Sequence, residues 1–181
     1  LVNPHSASSA EGIEQIFPQG EVVKLNRSYR STVEISRFAL RISPNPDLIP
    51  MERHGEEPKL IGLDTEQEEL QAIQTLISAF KESGHRSMGI ICKTQQQAHH
   101  VFEQIGKEAQ LLTTDSTAFN EGVVITSAHL SKGLEFDVVV IPFVTSKNYS
   151  TAVDKGMLYI SCTRAMHVLT LTYTGKPSSF I

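Results

Sequence analysis

The run Val138-Val139-Val140-Ile141 constrains this chain more than any other feature. It is apolar without alternation, so a strand built from it must be covered on both faces. Such a strand belongs to a parallel sheet with helices on each side, and the rest of the chain supplies those helices. Ile35, Phe38, Ala39 and Ile42 fall at i, i+3, i+4 and i+7, the stripe of a helix packed on one face, and Pro44 and Pro46 end it. VVKL at 22–25 and KLIGL at 59–63 read as strands. Thr65-x-x-Glu68 forms a capping box ahead of an apolar face of Leu70, Ile73, Ile77 and Phe80, and Gly84 closes that helix. A strand follows at Met88–Lys93. A second capping box, Thr94-x-x-Gln97, then opens a helix with the stripe Ala98, Val101, Phe102 and Ile105, stopped by Gly106. Strands are expected at 111–113, 123–127, 138–143 and 167–173, and a helix over 154–165. Strands alternating with helices predict an α/β fold, a parallel sheet sandwiched by helices. In such sheets sites form beyond the carboxyl ends of strands.

Composition sets the class. The chain has 181 residues, 40% of them apolar, with a net charge of −4 at neutral pH. That length fits one domain, or one and a half. The acidic balance excludes a module that binds nucleic acid through overall basicity. Cys92 and Cys162 lie 70 positions apart inside apolar runs and read as buried, reduced thiols of a cytoplasmic protein rather than a zinc or redox pair. No apolar run approaches the roughly 20 residues that span a bilayer, so no membrane role is expected. Residues 1–20, rich in Ser, Gly and Pro, read as a flexible lead-in without signal-peptide character, and 21–181 as one domain. The absence of an initial Met suggests a piece of something longer.

Three loops concentrate chemistry. In LNRSYRST (25–32), Arg30 can fork onto a phosphate and Tyr29 can stack on a base; the plainer alternative is a surface pair between the arginine and Glu34. In VVITSAHLSKGLEFDVVVIPF (123–143), Ser127, His129, Lys132, Gly133 and Glu135 gather a hydroxyl, an imidazole, an ammonium, a flexible backbone and a carboxylate within nine residues. A mere connector needs none of these. In MLYISCTRAMHVL (157–169), Arg164 stands between a helix and a strand. It can meet a transferring phosphoryl group or simply complement the helix dipole. The chain holds no G-x-x-x-x-G-K-[ST] loop, no acidic pair after a strand suited to Mg²⁺ and no G-x-G-x-x-G, and His99 and His100 have no third ligand nearby, so no metal site is expected.

Taken in order, these loops resemble motifs of the second motor domain of superfamily 1 helicases of the UvrD/Rep type. SYRST (28–32) is similar to motif IV, HLSKGLEF (129–136) to motif V and LYISCTRA (158–165) to motif VI, with GIICKTQQQAHHVFEQI (89–105) between them. The resemblance covers about residues 20–175. It implies a RecA-like domain, the C-terminal one of the P-loop NTPase helicases. It further implies that Tyr29 stacks on adenine and that Arg30 and Arg164 reach the terminal phosphate of ATP. Glu135 would contact the ribose, with Lys132 and Gly133 close by, while Lys93, Ser127 and His129 meet single-stranded DNA. ATP and Mg²⁺ would be held chiefly by an N-terminal motor domain. Ser28 stands for the family's usual Asn, Ser127 for Thr, Lys93 for Arg, and Cys92 for a frequent aromatic. Only 29 residues (94–122) separate Lys93 from Val123, too few for the large accessory insertion of UvrD and Rep. In this the chain resembles the compact HelD-like branch, some members of which act on RNA polymerase. The expectation is therefore part of an ATP-dependent DNA helicase or translocase, inactive as an isolated domain. The alternative is a motor-fold module that binds and remodels RNA polymerase.

Overall fold

Val138–Ile141 lie at the middle of a six-stranded sheet in which every pairing is parallel. The computed structural model describes Gln19 and residues 27–28, 30–50, 52–114, 116 and 121–181. In chain order the elements are β1 (Arg27–Ser28), α1 (Val33–Ile42), β2 (Ile49–Pro50), β3 (Lys59–Leu63), α2 (Glu66–Glu82), β4 (Ser87–Cys92) and α3 (Gln95–Ile105). A 3₁₀ turn (Gly106–Glu108), β5 (Gln110–Leu111), β6 (Gly122–Ser127), β7 (Phe136–Ile141), α4 (Ala152–Cys162) and β8 (Ala165–Thr174) follow. The main sheet runs β3-β8-β7-β4-β6-β5, and β1 and β2 form a separate parallel pair. The expected lead-in and the strand at 22–25 lie outside the described residues, apart from Gln19.

The period-two geometry of β7 explains its composition. Val139 and Ile141 enter a core on one face with Ile35, Phe38, Ala39 and Ile42 of α1 and Leu158 and Cys162 of α4. Val138 and Val140 enter a second core with Ile73, Ile77 and Phe80 of α2 and Ala98, Val101 and Ile105 of α3. Each buried Val, Leu, Ile or Phe among these contributes roughly 1.5–3 kcal/mol of transfer free energy. At Gly89 the sheet admits no side chain, because an added Cβ would lie 2.5 Å from the Phe136 ring.

Both expected capping boxes are formed, Thr65 with Glu68 and Thr94 with Gln97, and Gly106 ends α3 with φ 74°. A third box, Thr151 with Asp154, opens α4 at Ala152, two residues ahead of the sequence expectation. The helix also stops earlier, at Cys162, so Arg164 lies in the turn before β8 rather than inside a helix. The segment that joins β4 to β6 holds only α3, the 3₁₀ turn and β5 among its described residues. Among the described residues no helix is long and apolar enough to cross a membrane.

Candidate functional site

Glu135 and Arg164 are the residues that immediately precede β7 and β8. These strands pair Phe136 with Ala165, and the Phe136 N–H donates to the Arg164 carbonyl at 3.0 Å. The register of the sheet thus fixes the two side chains as neighbours. Arg30 arrives from the segment ahead of α1, and its Nε donates to Glu135 Oε1 at 2.6 Å. All three line a cleft of about 520 Å³ with Tyr159, Thr163 and Leu48. The arginine does not pair with Glu34. That carboxylate accepts from the Gly55 N–H at 2.9 Å and sits 2.8 Å from His54 Nδ1, contacts that hold its pKa down to about 2.

Arg164 is half-buried and aimed by three acceptors: the Ile160 carbonyl (3.2 Å), the Leu134 carbonyl (3.2 Å) and Thr163 Oγ1 (3.3 Å). Burial lowers its pKa and the nearby Arg30 charge adds to the effect, while Glu135 and Tyr159 oppose it. It stays protonated regardless, as a guanidinium does. Two guanidiniums against one carboxylate leave the cleft with an unbalanced positive charge, which suits an anion. No single residue in the sequence signalled the parts that brace this arrangement. Ser31 Oγ donates to the Ala165 carbonyl at 2.6 Å, and Arg53 Nη2 donates both to the Arg30 carbonyl and to the Met166 carbonyl, the latter at 3.0 Å. Both tie the Arg30 segment to the start of β8.

This cleft corrects one expectation. It lies at the amino ends of β7 and β8, not beyond the carboxyl ends of strands. The cause is the connection 128–135. Because β6 and β7 both run parallel to β4, this short segment must travel the height of the sheet before β7 begins. Ser127, buried, and His129, exposed, stand at its carboxyl-end start. Lys132 and Gly133 are exposed along it, Gly133 with φ 89°, and Glu135 ends it inside the cleft.

The profile of the UvrD-like helicase C-terminal domain family matches residues 122–172, which span the connection, β7, α4 and Arg164. The crystal structure of the C-terminal domain of a possible DNA helicase from Lactobacillus plantarum WCFS1 superposes with a TM-score of 0.73. It is 27% identical, and the match covers 84% of this chain and 91% of that one. Residues 122–172 thus carry the pattern of UvrD-like helicase C-terminal domains, and the chain as a whole has the fold of a helicase C-terminal domain. Two curated RecBCD enzyme subunit RecB proteins are also similar. That of Chlamydia pneumoniae is 35% identical over 81 residues, 43% of this chain and 8% of the relative. That of Chlamydia muridarum is 34% identical over 91 residues, 46% of this chain and 9% of the relative. The chain therefore spans a small fraction of those relatives' length.

Elsewhere in the domain the remaining expected residues fall apart from the cleft. Tyr29 lies outside the described residues. Lys93, just past β4, is at the opposite, carboxyl end of the sheet, where its Nζ sits 2.6 Å from Asp154 Oδ1 and donates to the Asn148 carbonyl. Burial alone would raise the Asp154 carboxyl pKa. The Lys93 bond and the N–H groups of Thr151 and Ser150 outweigh it and hold the group well below the usual carboxylate range. The Lys93 ammonium is thus already engaged within the fold. Cys92 is fully buried and offers nothing to a ligand; burial also pushes its thiol pKa up, the Glu69 charge adding to the rise.

Proposed function

We propose that this domain is the second motor domain of an ATP-dependent DNA helicase or translocase, and that it completes an ATP site whose phosphate loop and Mg²⁺ ligands belong to a partnering N-terminal motor domain. The observation that carries the reading is the cleft of Arg30, Glu135 and Arg164. Arg30 is held by an exposed carboxylate that a phosphate can replace at little cost, and Arg164 is already aimed by the Ile160 and Leu134 carbonyls and Thr163 Oγ1. Arg30 and Arg164 would hold the terminal phosphate of ATP, Glu135 the ribose and Tyr29 the adenine, with Lys132 and Gly133 at the margin. Bound ATP supplies the phosphoryl group; these residues supply the positive charge that stabilises its transfer. Arg30 exchanges Glu135 for the phosphate, and that exchange releases the carboxylate for the sugar.

In this reading the carboxyl end of the sheet meets single-stranded DNA through the exposed His129, with the buried Ser127 behind it, while Lys93, tied to Asp154, supports that end as framework. The connection 128–135 then links the two ends physically, its start at the DNA side and its end at the nucleotide. ATP draws the two motor domains together and hydrolysis releases them.

The test uses the complete protein. It should hydrolyse ATP with stimulation by single-stranded DNA and unwind a forked duplex, while the isolated chain turns over no faster than background. Turnover by the purified chain would sink the composite-site proposal. The compact link between β4 and β6, with no accessory domain, favours a second reading in which the protein binds and remodels RNA polymerase, as in the HelD-like branch. Capture of RNA polymerase by the complete protein, with no unwinding of forked DNA, would support that reading over the first.

A further inference from the structure

Phe143 has a left-handed backbone, with φ 59°. For a bulky residue this conformation is strained and persists only where its surroundings enforce it. The enforcement here is costly. Glu69, fully buried in the first turn of α2, accepts from the Phe143 N–H at 2.7 Å, and its two oxygens also take Thr172 Oγ1 and Thr174 Oγ1, each at 2.6 Å. On the other side the Asn148 amide donates to the Phe143 carbonyl at 2.9 Å.

The loop that follows is pinned at almost every step. Val144 N–H donates to the Thr172 carbonyl at 2.9 Å, Ser146 N–H to the Lys176 carbonyl at 3.0 Å and Tyr149 N–H to the Thr145 carbonyl at 2.9 Å. Gln97 Nε2 reaches Asn148 Oδ1 at 3.1 Å. A buried carboxylate and a rigid loop are therefore spent on the aim of one aromatic side chain. Phe143 is partly buried: it packs against the core of α2 and α3 and is also among the residues that line a groove of about 420 Å³ at the carboxyl ends of the strands. Lys147, Thr145, Gln97 and His100 share the groove. Glu66 and Glu69 line it too, His100 Nε2 lies 2.8 Å from Glu66 Oε1, and Lys147 is its one lysine, so the groove is not basic.

We propose that Phe143 is a stacking platform for one base of single-stranded nucleic acid, and that Glu69 is its positioning residue. This rests on the reading above that the carboxyl-end face meets single-stranded DNA, and it adds to that reading the surface on which a base lands. A preorganised ring offers a flat π-face at no ordering cost, and such stacking needs little positive charge. Lys147 on the rim is placed to meet the flanking phosphate.

The chain contains no Trp, so Phe143→Trp introduces a single indole at the platform. The probe is an end-labelled 12-mer of deoxythymidine, titrated into the 181-residue chain. Anisotropy of the label reports binding anywhere on the domain, and indole emission reports stacking at this position. The expected result is binding with strong quenching of the indole, and about ten-fold weaker binding by Phe143→Leu. Glu69→Gln keeps an acceptor for the Phe143 N–H and should retain the quench in the tryptophan background; Glu69→Ala should lose it while the fold, followed by circular dichroism, persists. If Glu69→Ala does not fold, the quench and the Phe143→Leu affinity decide alone. Binding with no quench, or with unchanged affinity in Phe143→Leu, overturns the platform and leaves the DNA reading standing. No binding by anisotropy overturns both.

Discussion

Two ion pairs of the same length occupy opposite ends of this sheet. Arg30 and Glu135 meet at 2.6 Å at the amino ends, with side chains 32% and 44% exposed. Lys93 and Asp154 meet at 2.6 Å at the carboxyl ends, with side chains 20% and 8% exposed. Distance does not distinguish them; solvent does. The first pair loses little when opened, because water or an incoming anion replaces each partner. The second cannot open without leaving a buried charge, and its carboxylate also caps α4. The amino-end pair is a contact poised for exchange, whereas the carboxyl-end pair is part of the framework.

Stability measurements can break this contrast. The largest effect is expected from Asp154→Ala, which strands Lys93 and removes the cap of α4. It should cost about 3–5 kcal/mol in denaturant unfolding. Lys93→Met should fall in the same range, since it leaves Asp154 buried and unpaired. Acid should act on the same group. The folded-state pKa of Asp154 is depressed, so its stabilisation is complete above the ordinary carboxylate range and is lost progressively as pH falls below about 5. A Tm profile that stays flat from neutral pH to pH 3 would contradict this, and Asp154→Ala should flatten it. Ser31→Ala, which leaves the Ala165 carbonyl without its side-chain donor, should cost about 1 kcal/mol. Glu135→Ala should cost least, under about 1 kcal/mol. A loss at Glu135 equal to that at Asp154 would erase the distinction between the pairs.

The elements were legible because they follow local rules. The stripe of α1, two capping boxes and the doubly buried run of β7 each act within a few residues. The third box was missed because Thr151-x-x-Asp154 precedes a helix whose apolar pattern starts late. The polar network was hardly legible at all. Lys93 and Asp154 are 61 positions apart, Arg30 and Glu135 are 105 apart, and only sheet register and crossover geometry bring them together. Glu69 reads in sequence as an ordinary acidic residue of a helix's first turn, and nothing local shows that it is buried. The placement of the cleft was misjudged for a related reason. A rule about carboxyl ends does not anticipate a connection that carries its last residues to the amino end.

The central claim is that the exchangeable cleft serves the nucleotide and not the fold. The most direct test is ATP hydrolysis by the complete protein carrying Arg164→Ala, measured beside its affinity for single-stranded DNA. Turnover should fall by about 10³-fold or more, with DNA affinity within about two-fold of the parent. Full-rate hydrolysis by that variant would contradict the account.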